Sequence, residues 1–504
     1  MTNKGKDKKS SSFTLFPVTQ LNGTVVYYAC DFSQELGHSV YMGHQCTLIH
    51  NEPIDFKPRR VNKEELIIDE KKPVSIKLYD DRQHPSPFQF YASQKALLNI
   101  EGRDVLIMDY IDGFHIYPDS SDNPELNQLT FFQAVDVSWQ LILRLNHLHY
   151  NNTSGPPIVH GDIHGENVKI KMNAIMDAEE KRYKFEVSYL DLDYAKPIIR
   201  RPQIPQGTPE HIACEILQGD YSESSDFFAL APLLLSVFGA KNPLKKIIEF
   251  RNNNPHMKSD KLIRAFRELG FCSEGLFEHF DNKPSPFICE LIKKFILQMG
   301  EKNKENRPSP DAVLEFFTAL RQLLLLDEYD PLTADEDKGR YLLRLCVAAK
   351  EERWLTEKKY QTLFFSLDEH LQNRLITLMN QNQCIILYKI AQEKKTPVSL
   401  VNQLRAKIAV HLKEQIDLLG TSSWPNLLFF SSITRHDLQW LLDCYEHNDA
   451  AVFYSEEYKK TRKKLACCAE KNLVPLISIV TEGITSTIDS STPSINEDRI
   501  HQIT

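Results

Sequence analysis

No apolar run in this sequence is long enough to cross a bilayer. The longest, Phe227 to Phe238, falls short of the ~20 residues a spanning helix needs and predicts a buried helix instead. The amino terminus, Met1-Thr2-Asn3-Lys4-Gly5-Lys6-Asp7-Lys8-Lys9-Ser10, has no apolar core of the kind a secretory signal carries. Cysteine spacing is equally bare: the ten cysteines include no CxxC pair, and the only close two, Cys467 and Cys468, are adjacent. That argues against a thiolate metal site and a disulfide framework, and predicts reduced thiols in a cytosolic fold. A basic excess is also missing. Lys and Arg number 60 against 68 Asp and Glu, a net charge of -8, so nucleic acid is not an expected partner. The local basic clusters, Lys4 to Lys9, Arg200-Arg201 and Lys459 to Lys464, read as solvated faces or tails.

What is present is a globular composition, 42% hydrophobic and 25% charged, over 504 residues. That length is long for one core and predicts two or three domains. Residues 1–12 are polar and lysine-rich and are expected to be disordered. Over 13–115 short β-rich runs dominate, at Thr24 to Cys30, Ser39 to Ile49, Val74 to Leu78 and Val105 to Tyr110. One amphipathic helix is expected to interrupt them at Pro87 to Asn99. From Leu129 onward apolar residues recur at three- and four-residue steps, so a larger helical lobe is predicted over 116–326. The acidic stretch 327–337 reads as a linker, 338–484 as an all-α domain, and the Ser/Thr-rich 485–504 as a disordered tail.

Five short motifs stand in order along the first part of the chain. His160-Gly161-Asp162-Ile163-His164-Gly165-Glu166-Asn167 comes first, then Leu190-Asp191-Leu192-Asp193, Gly207-Thr208-Pro209-Glu210-His211-Ile212-Ala213-Cys214-Glu215, Ser225-Asp226 and Arg307-Pro308. Their chemistry is that of phosphoryl transfer, which asks for positioning and charge neutralisation more than covalent steps. Asp162 is placed to orient an attacking hydroxyl. Asn167, five residues on, and Asp191, at the end of the apolar run Val187 to Leu190, offer hard oxygen ligands that suit Mg²⁺.

On these motifs the chain resembles the eukaryotic-like Ser/Thr protein kinases over about residues 30 to 325. The resemblance implies an α+β fold of two lobes, a β-rich N-lobe and a helical C-lobe, followed here by the all-α domain. It implies ATP and Mg²⁺ as cofactors and a protein as substrate. The Gly207-to-Glu215 segment looks like the family's GTPEYIAPE. By that match Glu215 should pair with Arg307, Asp226 should brace the catalytic-loop backbone, and Thr208 should contact Asp162. Val74-Ser75-Ile76-Lys77 is similar to the VAIK strand, so Lys77 should reach the α- and β-phosphates. Val105 to Tyr110 looks like the hinge strand, with Met108 as gatekeeper and Asp109, Tyr110 and Ile111 facing adenine. Leu36-Gly37-His38-Ser39-Val40-Tyr41-Met42-Gly43 aligns with the phosphate-covering loop but retains two glycines where the family usually shows three. The match gives Gly37, Ser39 and Gly43 as nucleotide contacts; the alternative is that Gly37 and Gly43 are ordinary turn glycines.

The departures from the pattern are specific. Gln94 stands where the family's helix carries the glutamate that pairs the lysine, with Glu101 as the alternative partner for Lys77. Only 13 residues separate Gln94 from Met108, so the strand normally between them is expected to be trimmed. Gly161 replaces the arginine that reads a phosphorylated activation loop, and Asp191 to Glu215 holds one Ser or Thr, namely Thr208. Control by activation-loop phosphorylation therefore lacks acceptor and reader, which predicts a constitutively assembled enzyme or one switched by a partner. His164 replaces the catalytic-loop lysine. His-Gly-Asp-x-His-x-x-Asn also resembles small-molecule kinases of the aminoglycoside/choline type, which lack the Gly207-to-Glu215 segment; a pseudokinase binding module is the third alternative.

The all-α region carries no motif attached to chemistry. His411, His436 and His447 are isolated, and Trp354, Trp424 and Trp440 are expected to anchor helix packing. A divergent kinase with an added helical domain and a polar tail is similar to effector kinases of intracellular bacterial pathogens. That resemblance implies a host protein as substrate, a tail that acts as secretion signal, and a docking or activating partner on the helical domain.

Overall fold

The structure is a computed structural model that describes residues 12–20, 22–37, 39–49, 57–80, 83–86, 94–150, 157–176, 181–198, 206–329, 335–394, 396–421, 434–447, 449–466 and 473–486. The expected disordered segments at the two ends, apart from Ser12 and residues 485–486, lie outside these. The chain divides into two compact units, Met1–Leu324 and Leu325–Thr504.

The first unit opens with a seven-stranded sheet of β1 (Ser12–Thr19), β2 (Val25–Gly37), β3 (Val40–Leu48), β4 (Arg59–Asn62), β5 (Leu66–Leu78), β6 (Gln94–Ile100) and β7 (Arg103–Asp109). Its spatial order is β4-β1-β2-β3-β5-β7-β6. Neighbours run antiparallel throughout. Phe16 and Val18 of β1 join Val74, Ile76, Val105 and Ile107 in one buried cluster, so the sheet folds over on its own apolar face. The period-two rule then sets the site: with Val74 and Ile76 in that core, Ser75 and Lys77 project from the other face of β5.

The helix expected at Pro87 to Asn99 is not what its second half forms. Gln94–Ile100 is β6, paired with β7 from Gln94 opposite Met108 to Ile100 opposite Arg103; residues 87–93 lie outside the described residues. Ala96, Leu98 and Ile100 pack on the sheet core while Lys95, Leu97 and Asn99 are exposed. That alternation is a strand's, and a short apolar run read at helical period conceals it. The strand expected to be trimmed is therefore present. Glu101 (φ 52°) and Gly102 (φ 86°) both sit in the left-handed region of the two-residue turn to β7, as a hairpin with the twist of its strands requires.

Below the sheet lies a helical lobe. It contains α1 (Phe131–Tyr150), α2 (Glu223–Val237), α3 (Lys245–Asn253), α4 (Ser259–Leu269), α5 (Pro286–Met299) and α6 (Pro310–Tyr329). Two β elements carry the loops of interest: the hairpin β9 (Val168–Met176) with β10 (Lys181–Tyr189), and the short pair β8 (Ile158–Val159) with β11 (Lys196–Pro197). α2 is buried from Ser225 through Val237, the fate its apolar run predicts. Phe131 anchors α1 against Phe238, Phe277 and Phe280. Ser285 caps α5 by accepting from Ile288 N, and Pro286 starts the helix where its missing N–H costs nothing.

α6 continues to Tyr329 and the next helix starts at Asp335, so the expected linker 327–337 is helical at both ends and residues 330–334 lie outside the described set. The second unit is all-α: α7 (Asp335–Ala348), α8 (Arg353–Thr356), α9 (Lys358–Ser366), α10 (Glu369–Leu378), α11 (Gln381–Glu393), α12 (Val398–Thr421), α13 (Arg435–Glu446), α14 (Ala450–Tyr454), α15 (Lys459–Ala466) and α16 (Val474–Ser486). Tyr388 on α11 ties the bundle together, its hydroxyl 2.9 Å from Glu482 Oε2 on α16 and 3.1 Å from Arg405 Nε on α12. Trp354 is buried against Phe364, and Trp440 stacks between Phe453 and Tyr458. Trp424 lies outside the described residues. Among the described residues no helix is long and apolar enough to cross a membrane.

Candidate active site

β8 delivers the chain into the loop 160–167, and the first turn of α2 holds that loop. Asp226 accepts from His160 N (2.7 Å) and Gly161 N (3.0 Å) and meets His149 Nε2 at 2.9 Å. All three contacts are buried, where an unmade hydrogen bond is expensive, so the loop backbone has one place to sit. Gly165 is demanded by a close approach: a Cβ there would lie 1.5 Å from Ile116 O. The His160 ring Nε2 meets Leu190 O at 2.9 Å, and Leu190 N donates to Asn167 O at 2.8 Å, stitching this loop to the one that bears Asp191.

Asp162 is buried, and its two carboxylate oxygens differ. Oδ1 accepts from Thr208 N (2.7 Å) and Thr208 Oγ1 (2.8 Å). Oδ2 has the Asn167 amide nitrogen at 3.4 Å and the His164 Nε2 at 3.7 Å. Thr208 thus fixes the rotamer, and Oδ2 is the atom left to accept from a hydroxyl. Asn167 also donates to Asp162 O at 3.0 Å, which spends its amide nitrogen on the loop and leaves its amide oxygen for a hard cation.

Asp191 takes a left-handed backbone (φ 56°) at the start of a short 3₁₀ turn over Leu192–Tyr194. Lys77 reaches down from β5 and donates to both Asp191 oxygens at 2.8 Å and to Asp193 Oδ2 at 2.7 Å. Burial pulls the Lys77 ammonium down, but Asp191 and Asp193 outweigh it, so its pKa lies above the ordinary lysine value. Burial likewise pushes Asp191 up and Lys77 more than reverses it, so the carboxylate is held below its usual range. One carboxylate and one amide oxygen fit Mg²⁺, which takes its remaining ligands from phosphates and water. Among the described residues no group of three or more His, Cys, Asp or Glu could hold a metal alone.

The other expected contacts divide. Met108 lies opposite Ser75 on β7, on the face that carries Lys77. Asp109 ends β7 and pairs with Lys95 at 2.7 Å; Tyr110 and Ile111 lead into the connection that bridges to β9 at Phe114 and Ile170. Gly37 ends β2, and Ser39 (φ 58°) accepts from Leu78 N at 2.9 Å, so the hairpin tip rests against the end of β5 beside Lys77. Gly43 is a correction. It pairs with Cys30 and Val74 in mid-sheet, where a Cβ would lie 2.7 Å from Ile76 Cδ1; packing, not phosphate, requires glycine there. The expected helix-borne partner is corrected as well: Gln94 opens β6 where a helix was expected, and among the described side chains Lys77 bonds Asp191 and Asp193, not Glu101.

Two residues to which the motifs gave no role, Asp193 and Tyr79, complete the setting of Lys77, and a third, Lys169, lies beside Tyr110. Asp193 accepts from Lys77, from the Tyr79 hydroxyl at 2.9 Å and, through Oδ1, from Ser86 N at 2.9 Å. Tyr79, two residues past Lys77, could have been found from the strand's period. Asp193 could have been found only as the second acid of Asp191-Leu192-Asp193. Lys169 on β9 is buried, its ammonium 4.9 Å from the ring centre of Tyr110 and held below the ordinary lysine range by burial.

Outside the cleft, Glu215 and Arg307 form a two-pronged pair, Nη1 to Oε1 at 2.5 Å and Nη2 to Oε2 at 3.0 Å, nearly closed to solvent. No curated protein matches the chain. The family model described as protein kinase domain matches residues 62–317, half of the chain and the part that carries Lys77, Asp162, Asn167, Asp191 and Thr208, and the chain therefore belongs to the protein kinase domain family.

Proposed function

We propose that the chain transfers the γ-phosphoryl group of ATP to a Ser or Thr hydroxyl of a protein, without control by activation-segment phosphorylation. The observation that carries this is Asp162 with Oδ1 locked by two bonds from Thr208 and Oδ2 met only at 3.4 Å by Asn167 and 3.7 Å by His164, on a loop hydrogen-bonded to the one that holds Asp191 against Lys77. In this reading Asp162 Oδ2 accepts the hydrogen bond of the acceptor hydroxyl and takes its proton as the phosphoryl group is transferred. Lys77 places its charge on the α- and β-phosphates. His164, 3.7 Å from Asp162 Oδ2 and standing where the family carries its catalytic-loop lysine, would donate to the transferred group in this reading. Asn167 and Asp191 would hold Mg²⁺, which when bound neutralises phosphate charge.

Thr208 is the lone Ser or Thr between Asp191 and Glu215, and both its N–H and its hydroxyl are spent on Asp162, which supports an enzyme assembled without an added phosphate. A host protein as substrate extends the proposal, on the likeness of the chain's organisation to secreted effector kinases. The test is incubation of the full chain with γ-labelled ATP, Mg²⁺ and a basic protein, beside Asp162→Asn. Label on protein that falls by roughly 10²- to 10⁴-fold in the variant is expected. Label of equal strength in both chains refutes the role of Asp162. ATP consumption only when small aminoalcohols are supplied would move the assignment to a small-molecule kinase.

A further inference from the structure

We propose that Asp193 is the anchor of Lys77, a positioning residue that replaces the helix-borne carboxylate expected for this lysine; the proposal rests on the phosphotransfer reading above. The two acids of Asp191-Leu192-Asp193 both touch the Lys77 ammonium, yet their surroundings assign them different work. Asp191 has its side chain 36% exposed, and among the described residues its side-chain partner is Lys77, beside a 3.4 Å bond from Asp193 N. It can turn toward a cation by giving up that partner. Asp193 has its side chain 17% exposed and both oxygens committed to protein donors. Oδ2 receives Lys77 Nζ and the Tyr79 hydroxyl, and Oδ1 receives Ser86 N. Ser86 Oγ adds a 2.6 Å bond to Leu192 O, holding the turn between the two acids.

A carboxylate so occupied has little left for a metal, while it keeps its hold on Lys77 when Asp191 leaves. The lysine is then steered from the same short turn that carries Asp191, by β5 (Lys77, Tyr79) and the segment at Ser86. Charge-assisted bonds of this kind fix geometry as well as charge. Neither Gln94 nor Glu101 is needed for it.

Asp193→Asn tests the assignment, because it keeps shape and one acceptor but removes the charge. The readouts on the full chain are titration with a fluorescent ATP analogue in Mg²⁺ and turnover of γ-labelled ATP, in the wild-type and Lys77→Met backgrounds. The expected result is a roughly tenfold or greater weakening of nucleotide binding, a rise in KM for ATP exceeding the fall in kcat, and recovery in Asp193→Glu relative to Asp193→Ala. The loss should vanish in Lys77→Met, since an anchor has no effect once its lysine is gone. Equal losses in both backgrounds, or unchanged binding in Asp193→Asn, overturn the assignment while leaving the kinase reading intact. A wild-type chain that neither binds the analogue nor transfers label removes both.

Discussion

Single residues in this protein are legible in the sequence in proportion to how local their job is. Asp162, Asn167, Asp191 and Thr208 stand at fixed spacings in short motifs, and the fold brings them together. Asp193 was invisible as an anchor because its partners Lys77, Tyr79 and Ser86 are more than 100 residues away in the chain. His211 adds a residue whose burial can be measured. Desolvation, assisted by the neighbouring His164 and Arg267 and opposed by a bond to Ala229 O, pushes its imidazole down to about 3. The folded protein keeps His211 neutral where the unfolded chain, near the ordinary value of 6.5, takes up a proton. Its contribution is therefore complete above pH 6.5 and is lost as the pH falls toward 3. Urea midpoints should drop across that window in the wild type and drop less steeply in His211→Phe. Identical slopes would show that the ring is protonated in the folded state.

At the scale of elements, the period of burial decides what can be read. The strands around Thr24 to Cys30, Val74 to Leu78 and Val105 to Tyr110 show themselves through alternating or β-branched runs, and they form β2, β5 and β7. β6 did not, because Lys95-Ala96-Leu97-Leu98-Asn99-Ile100 offers apolar residues on both periods and only the neighbouring strand selects one. β1 was missed for a different reason: buried on both faces from Leu15 to Val18, it has little alternation to detect. Gly43 belongs to this scale, since its role is set by strand packing. Gly43→Val should cost about 1–3 kcal/mol in chemical denaturation by crowding Ile76, Val74 and Ala29 O, while the KM for ATP stays within about twofold. A large rise in KM at unchanged stability would return Gly43 to the phosphate-covering loop.

The molecule as a whole consists of two units, and the first is fastened at a place remote from catalysis. Arg307 joins Glu215, at the end of the segment that starts with Asp191, to the stretch before α6, and its Nε and Nη2 also donate to Glu301 O (2.7 Å) and Lys302 O (3.1 Å). Removing one partner strands a buried charge. Arg307→Ala should destabilise its unit by about 3–5 kcal/mol. Calorimetry of the full chain should show two transitions, only one of them lowered by the substitution. A single transition that shifts as one would mean that the units unfold together. The family match begins at residue 62, yet β1, β2, β3 and all but the last residue of β4 precede it, and β1 and β2 supply Phe16, Val18, Tyr28 and Cys30 to the cluster around Ile76 and Ile107. Anyone who trims this gene to the matched boundaries would therefore express a polypeptide with more than half of its sheet missing and Ile76 and Ile107 laid open to water. Such a fragment would precipitate or be degraded, and its silence in an assay would report on where the cut was made and not on what the enzyme can do.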